Sequence, residues 1–264
     1  MSRFIAALPM YDWPERTAEV DAEWVLIRDR LRGEGIDAPQ ALTRDFDDLH
    51  ELWRHPDLLL AQTCWGPMER GLADHVTVVG QPSYDGIEGG QGELYSSAIV
   101  MRAAGGLTSP LRGEVAPRRG AGGGDGDRFD RHPTPALRAD PPPQGEGILP
   151  LDLLRGQRLA YNGPDSMSGI IGLTRDLEAL GETLDIFSDR IVSGGHRLSV
   201  RAVAEGRADV AAIDCLSWAL AQRHEPAAKD LRVVGWTAMR RGLPFITART
   251  TAAPVLAALR AAVA

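Results

Sequence analysis

The chain has 264 residues, 44% of them hydrophobic and 25% charged, and a formal net charge of -7. The length allows one large domain or two small ones with a substantial core, and the composition is typical of globular proteins. The acidic balance and the lack of a Lys/Arg-rich run argue against a nucleic-acid partner. No apolar run approaches the length that spans a bilayer, which argues against direct membrane insertion.

The N-terminal residues and the two cysteines bear on the cellular compartment. One Arg and a very short apolar run precede Pro9, so the features of a secretory signal are missing. We therefore expect a cytoplasmic protein, with the periplasm as the alternative if the true N-terminus is missing. Cys64 and Cys215 form no CxxC or Cys/His pattern. We expect neither a metal site nor a cofactor, and we interpret both cysteines as small buried residues, leaving a disulfide open.

Taken in chain order, the first part of the sequence alternates strands and helices. The hydrophobic pattern predicts strands at 4–8, 38–42, 58–61 and 76–79 and helices at 16–32 and 47–54. Tyr11 follows the first strand, and Gln62 and Thr63 follow the third. Ligands collect at the carboxyl ends of strands in open α/β sheets, so these three side chains are candidate ligand contacts. The alternatives are a rim aromatic for Tyr11 and a plain helix cap for Thr63.

The middle of the chain predicts a change of direction followed by an insertion. Turn-forming residues fill 81–92, a strand follows at 95–102, and Tyr95 lies where a cleft would open, which makes it a further candidate contact. Residues 103–147 are dominated by Gly, Pro, Arg and Asp, with Phe129 as the one aromatic. This composition buries too little apolar surface to offset the entropy of ordering, so we predict a disordered insertion.

The stretch 153–172, LLRGQRLAYNGPDSMSGIIG, predicts a strand, a polar turn and a helix. An Asn-Gly-Pro sequence at 162–164 breaks the strand, and apolar residues return at helical spacing from Ile170. Ser166, Ser168 and Gly169 fall where the helix would begin. The free N–H groups and the dipole of a helix start suit an oxyanion. The alternative is that Ser166 and its neighbours only cap the helix.

Two later residues extend the candidate site. The remaining sequence predicts strands at 184–187, 208–213, 231–236 and 243–247, a short helix after His196, and helices at 218–223 and 252–264. At a helix start, a neutral His196 could donate a hydrogen bond to an oxyanion, and the alternative is a capping or surface histidine. Asp214 stands just past a buried strand, where a carboxylate is usually paired or hydrogen-bonded.

Three segments together resemble a known family. They are RLAYNGPDSMSG, SGGHRLSVRAVAEGRADVAAIDCLSW and GLPFIT. They resemble the phosphate/phosphite/phosphonate-type substrate-binding proteins of ABC transporters, which are periplasmic binding proteins of type II topology. The resemblance covers most of the chain outside the insertion. It rests on a Ser-x-Ser-Gly helix start, a Gly-His helix start and a Gly-x-Ala-Asp segment whose strand ends in Asp.

The resemblance implies an α/β fold of two lobes hinged around a ligand cleft. Lobe 1 would comprise 1–82 and 238–264 and lobe 2 would comprise 83–237, with the insertion at 103–147 in the second lobe. A small oxyanion such as phosphate, phosphite or a phosphonate would bind at helix N-termini in the cleft. The implied protein partner is an ABC transporter permease.

The resemblance also assigns contacts to individual residues. Ser166, Ser168 and the N–H of Gly169 would hold the ligand oxygens. His196 would donate to them, and Asp214 would accept from a protonated oxygen or amine of the ligand, or from the closing hinge. Four further contacts rest only on position in the fold: Tyr11, Gln62, Thr63 and Tyr95.

The leading interpretation is a non-catalytic solute-binding protein, because the sequence has no GxSxG, Walker A or HExxH motif. The first alternative is an enzyme on the same scaffold, with His196 and Asp214 as an acid/base pair and Cys64 or Cys215 as the nucleophile. The second is a ligand-sensing domain. Because the chain has no helix-turn-helix, such a domain would act through a separate partner.

Overall fold

The computed structural model describes residues 3–103 and 149–264. These residues form two lobes, and each lobe is built around one mixed β-sheet. The strands are β1 Ile5–Ala7, β2 Leu58–Gln62, β3 Val76–Gly80, β4 Gly90–Gln91, β5 Leu94–Tyr95, β6 Ser97–Arg102, β7 Arg158–Tyr161, β8 Asp189–Val192, β9 Val210–Asp214, β10 Leu231–Trp236, β11 Arg240–Arg241 and β12 Phe245–Ala248. The α-helices are α1 Thr17–Gly33, α2 Leu49–Trp53, α3 Trp65–Glu69, α4 Leu151–Leu154, α5 Gly172–Ala179, α6 His196–Ala204, α7 Cys215–His224 and α8 Ala253–Val263.

The first lobe contains the sheet β1-β2-β12-β3. Strand β2 is parallel to β1 and antiparallel to β12, and all of its residues are buried, as its continuous apolar sequence predicts. Helices α1 and α8 cover one face through Trp24 and Leu259, which pack with Leu60. Trp53 of α2 and Met68 of α3 cover the other face. The loops after β1 and β2 therefore leave the sheet at one edge.

The second lobe contains the sheet β10-β6-β9-β7-β8. Its faces are covered by α6 and α7, with Val203 and Trp218 in one core, and by α4 and α5, with Leu154 and Leu173 in the other. Strand β7 is parallel to both β8 and β9, so these three strands end at the same edge of the sheet. The turns after them begin the helical segments that lead into α5, α6 and α7. This topology brings three helix N-termini to one side of the second lobe.

The chain crosses between the lobes twice, between β3 and β6 and between β10 and β12. These crossings carry the small antiparallel sheet β11-β5-β4. Tyr84 and Tyr95 are buried there, and their rings stack with centroids 5.5 Å apart. We refer to residues 81–96 and 237–244 as the hinge.

Two strand predictions are wrong. Residues 38–42 form no strand; Ala38 and Leu42 are buried against the first-lobe core without joining a sheet, and Pro39 has no N–H for a strand ladder. Residues Leu184–Ile186 form a turn of 3-10 helix instead of a strand, because the Thr183 hydroxyl caps that turn by accepting from the Asp185 N–H. The edge strand β8 begins only at Asp189.

The predicted insertion at 103–147 lies outside the described residues except for Ala103. Its described flanks, β6 and α4, both pack in the second lobe. Cys64 is half-buried and Cys215 buried, and both are free thiols. Within 3–103 and 149–264, no helix has both the length and the apolar character needed to cross a bilayer.

Candidate functional site

A cavity of about 580 Å³ opens between the two lobes. The first lobe contributes residues of the loop after β1 and of α2, including Met10 and His50. The second lobe contributes the turns that follow its three parallel strands. Four of the predicted site residues line this cavity: Ser166, Ser168, His196 and Asp214. The candidate site therefore lies where the carboxyl ends of the second-lobe strands face the first lobe.

Ser166 and Ser168 lie in the turn between β7 and α5. One turn of π-helix, Met167–Ile171, precedes α5, and Ser166 caps it by accepting a hydrogen bond from the Gly169 N–H at 3.0 Å. Gly169 is buried, and its N–H is thus already used within the turn. The capping alternative holds for Ser166, whose side chain nevertheless lines the cavity. The Ser97 hydroxyl holds the turn in place by donating to the Ser168 carbonyl at 2.9 Å.

Ser168, His196 and Asp214 meet at one imidazole nitrogen. The Nε2 atom of His196 lies 2.8 Å from Ser168 Oγ and 3.1 Å from Asp214 Oδ2. A carboxylate has no proton to donate, so the tautomer with the proton on Nε2 suits the position beside Asp214. This N–H donates to Ser168 Oγ. The Ser168 hydroxyl also interacts with the buried Tyr95 phenol behind it, and the Ser168 side chain lines the cavity.

The histidine is held in its neutral form. Burial lowers the pKa of His196 below its ordinary value, and the Asp214 carboxylate and the Ala212 backbone act in the opposite direction without cancelling that effect. The side chain is 11% exposed. A neutral imidazole at a helix start can donate a hydrogen bond without placing a positive charge against the helix dipole.

Asp214 is a buried carboxylate with its own set of donors. Its Oδ1 atom accepts from the Tyr11 hydroxyl at 3.1 Å and from the Ser217 N–H at 2.9 Å, while Oδ2 faces His196. The second of these bonds makes Asp214 the N-cap of α7. The expectation that this carboxylate is hydrogen-bonded is confirmed, and the donors explain how the charge is tolerated at 2% side-chain exposure.

The N-terminus of α6 has no capping side chain. Gly195 occupies the N-cap position, and no side-chain hydrogen bond caps this nine-residue helix. Gly194 to Leu198 all line the cavity. The N–H groups of the first helical turn, at His196, Arg197 and Leu198, therefore have no capping side chain, and the positive end of the helix dipole lies at the cavity.

The two lobes touch beside the cavity. His50 Nε2 of the first lobe lies 3.2 Å from Asp165 Oδ2 of the second, and the Cys64 thiol accepts from the Met167 N–H at 3.4 Å. Gly66 in α3 lies so close to the second lobe that an added Cβ would be 1.7 Å from the Asp165 carbonyl oxygen. The structure thus shows the lobes in a closed arrangement around the cavity.

A comparison with family models identifies the family. Residues 73–264 match the family described as the periplasmic substrate-binding protein of phosphonate ABC transporters. The chain belongs to this family. The phosphonate-binding family resemblance stated from the three sequence segments is therefore confirmed.

Solved structures show the same fold as this phosphonate-family protein. PhnD1 from Prochlorococcus marinus, in complex with methylphosphonate, matches with a TM-score of 0.64 and 14% identity over 98% of this chain and 83% of that chain. XAC2383 from Xanthomonas citri, bound to chloride, matches with a TM-score of 0.61 and 15% identity over 98% and 82%. A phosphonate transporter binding protein from Pseudomonas aeruginosa matches at 0.57 and 13% over 98% and 72%. The two-lobed periplasmic-binding fold is confirmed. A search of curated proteins found no match.

The family consists of transporter substrate-binding proteins and not of enzymes. The geometry also disfavours the enzyme alternative. In a serine–histidine–aspartate relay the serine and the carboxylate contact different imidazole nitrogens, whereas Ser168 and Asp214 here share Nε2. Burial raises the pKa of the Cys64 and Cys215 thiols, which keeps them protonated and weakly nucleophilic.

The other predicted contacts of this phosphonate-family protein lie behind the cavity wall. Tyr11 is 6% exposed and reaches the site through Asp214, and Tyr95 is buried beside Ser168 and Ser97 in a small crevice. Gln62 and Thr63 are buried at the end of β2, and Thr63 is not a cap, because Cys64 occupies the N-cap position of α3. For these four residues ligand contact stays a prediction. The same holds for the predicted contacts nearer the cavity: Ser166, Ser168, Gly169, His196 and Asp214.

Several cavity residues were not predicted from the sequence. His50, Asp165 and Arg197 line the cavity, and so does Gly195. The Gly-Gly pair before His196 was a usable signal, since glycine at an N-cap leaves the following N–H groups uncapped. His50 and Asp165 carry no such local signal, because each acquires its place through contact with the opposite lobe.

Proposed function

We propose that this protein binds a small phosphonate-type oxyanion in the cavity between its lobes. The observation that carries the proposal is the uncapped N-terminus of α6, which meets the Ser168 hydroxyl and the His196 imidazole at the same cavity. Backbone N–H groups, a hydroxyl and a helix dipole are a suitable donor set for phosphonate oxygens. PhnD1, a structure of the same fold, holds methylphosphonate.

The charges around the cavity favour a ligand that also donates a proton. Asp214 and Asp165 line the cavity, as do Asp47 and Asp48. Arg197, which also lines it, is paired with Glu15 and Glu225. Two kinds of phosphonate satisfy both the N–H and hydroxyl donors and the carboxylate acceptors of the cavity. One is a monoanion that donates its remaining O–H to Asp214, and the other carries an ammonium group that faces these carboxylates. A fully ionised anion such as sulfate has no proton to donate, so its oxygens would face the Asp214 carboxylate without a hydrogen bond and be disfavoured.

We further propose the setting in which the protein acts. The family works with ABC transporters in the periplasm, so the proposed partner is a transporter permease and the proposed compartment is the periplasm, the alternative to the cytoplasmic prediction. We also propose that the first lobe comprises residues 1–82 and 238–264 and that the second lobe comprises residues 83–237. Immunodetection of the chain in periplasmic and cytoplasmic fractions tests the location, and a purely cytoplasmic signal would contradict it.

Isothermal titration calorimetry tests the binding proposal. Methylphosphonate, 2-aminoethylphosphonate, phosphite, phosphate and sulfate are titrated into the wild-type protein and into Ser168→Ala. A hydrogen bond to a charged group contributes about 1.5–3 kcal/mol, so the variant should bind the phosphonates roughly ten- to hundred-fold more weakly. The exposed Ser188→Ala is the matched control and should bind like wild type. Heat signals from none of the five anions in a cooperatively folded protein would overturn the proposal.

A further inference from the structure

We propose that the hydroxyls of Tyr11 and Tyr84 are positioning groups that link the hinge to the oxyanion site through Asp214. This inference rests on the proposed function. Neither tyrosine lines the cavity, so the hydroxyls act on the ligand through the carboxylate and not by touching it. The evidence is one continuous series of hydrogen bonds that joins both lobes and the hinge.

The series begins at a backbone N–H and ends at a carboxylate. The Leu243 N–H donates to the Tyr84 hydroxyl at 3.0 Å, the Tyr84 and Tyr11 hydroxyl oxygens are 3.3 Å apart, and the Tyr11 hydroxyl donates to Asp214 Oδ1 at 3.1 Å. A backbone N–H can only donate and a carboxylate can only accept. Both ends therefore impose the same direction, with Tyr84 donating to Tyr11 and Tyr11 donating to Asp214.

Burial makes this series of bonds well defined. Tyr84 is fully buried and Tyr11 is 6% exposed. Burial raises the pKa of both phenols well above their ordinary value, so each keeps the proton that the series requires. Aligned hydrogen bonds in a low-dielectric interior strengthen one another. The loss of one hydroxyl should therefore weaken the whole series.

The three parts of the molecule meet at these residues. Tyr11 follows β1 of the first lobe, Asp214 ends β9 of the second, and Tyr84 and Leu243 belong to the two hinge crossings. The hinge packs tightly there, since a Cβ on Gly242 would lie 2.0 Å from the Tyr84 ring. Separation of the lobes would move Tyr11 away from Asp214. The bond between them therefore favours the closed arrangement that surrounds the ligand.

The test compares phenylalanine variants, which keep the rings and remove only the hydroxyls. Methylphosphonate affinity is measured by calorimetry for Tyr11→Phe, Tyr84→Phe and the double variant, together with the radius of gyration from small-angle X-ray scattering with and without ligand. We expect Tyr11→Phe to bind about ten-fold more weakly, in keeping with the loss of a hydrogen bond to a charged group, and to be less compact. Tyr84→Phe should show a smaller loss of the same kind.

The double variant decides between coupling and simple packing. Because Tyr84 acts through Tyr11, adding Tyr84→Phe to Tyr11→Phe should change the affinity and the radius of gyration by little. Two losses that multiply, or a Tyr11→Phe variant with wild-type affinity and compactness, would overturn the inference. Tyr161→Phe, which removes a hydroxyl outside the series, should behave like wild type.

The scattering measurement keeps this test separate from that of the proposed function. If the wild-type protein binds no oxyanion, the proposed function fails. The compactness of the unliganded variants then still decides the coupling, because every bond of the tyrosine series joins two groups of the protein itself.

Discussion

His50 of the first lobe and Asp165 of the second form a hydrogen bond across the cleft, with Nε2 3.2 Å from Oδ2. Their side chains are 41% and 31% exposed, so water screens the pair and its contribution to closure is small, below about 1 kcal/mol. Asp165→Asn should weaken phosphonate binding by no more than about five-fold, which is this free energy expressed as a ratio. Calorimetry at low and high salt measures it, and a loss of fifty-fold or more would show that Asp165 contacts the ligand directly.

Gly66 sets how closely the lobes approach. An alanine Cβ there would lie 1.7 Å from the Asp165 carbonyl, while the helix that contains Gly66 can accommodate alanine. We expect Gly66→Ala to hold the lobes apart and to weaken binding by roughly five- to 150-fold, the ratio for an overpacking cost of about 1–3 kcal/mol. Small-angle scattering should show a larger radius of gyration.

The control for this variant is Gly33→Ala, whose Cβ would have no neighbour within 4 Å. It should leave both the affinity and the radius of gyration unchanged. Wild-type compactness in Gly66→Ala would contradict the assignment of Gly66 to the closing contact.

The buried pair of Arg240 and Asp176 joins the hinge to α5. Each side chain is 8% exposed, and Asp176 Oδ2 also accepts from the Ala238 N–H at 2.8 Å. Arg240→Met would leave the carboxylate buried without its cation, so we expect a loss of about 3–5 kcal/mol in the free energy of unfolding. Urea denaturation measures this loss. Arg155→Met breaks the more exposed pair with Glu182 and should cost less than about 1 kcal/mol; equal losses would contradict the prediction.

The lowered pKa of His196 predicts how stability depends on pH. The unfolded chain protonates this histidine at its ordinary pKa of 6.5, while the folded protein resists protonation until a lower pH. Between those two pKa values the unfolded state binds more protons, so the free energy of unfolding falls as the pH falls, by at most about 1.4 kcal/mol per pH unit. Below the folded pKa the contribution of His196 becomes constant.

Urea denaturation between pH 7.5 and pH 5 compares wild type with His196→Gln, whose amide can still donate a hydrogen bond to Ser168 but does not titrate. The variant should lose less stability on acidification than the wild type does. Identical pH profiles would mean that His196 titrates normally.

The site residues that the sequence predicted are those with local signals. Ser166 follows an Asn-Gly-Pro break and caps a helical turn, and His196 follows two glycines at a helix start. Parallel strands then carry both turns, and Asp214, to one edge of the sheet, as expected for an open α/β fold.

The unpredicted parts depend on contacts distant in sequence. His50 and Asp165 are 115 positions apart, and neither has a neighbouring residue that indicates its partner. Residues 38–42 were misassigned because two buried apolar side chains suggested a strand, although burial against α1 produces the same pattern. The hydrogen bond from the Tyr11 hydroxyl to Asp214, 203 positions away, likewise has no local signal in the sequence.

The glycine at the start of α6 has a consequence for how the ligand and the fold depend on each other. A serine or aspartate side chain at the N-cap can complete the first turn of a helix, as Asp214 does for α7, but Gly195 cannot. The bound oxyanion would complete it instead and would serve as a removable N-cap. Amide hydrogen exchange in the first turn of α6 should therefore slow when the cleft is occupied, and the helix that recognises the ligand becomes more stable because of it.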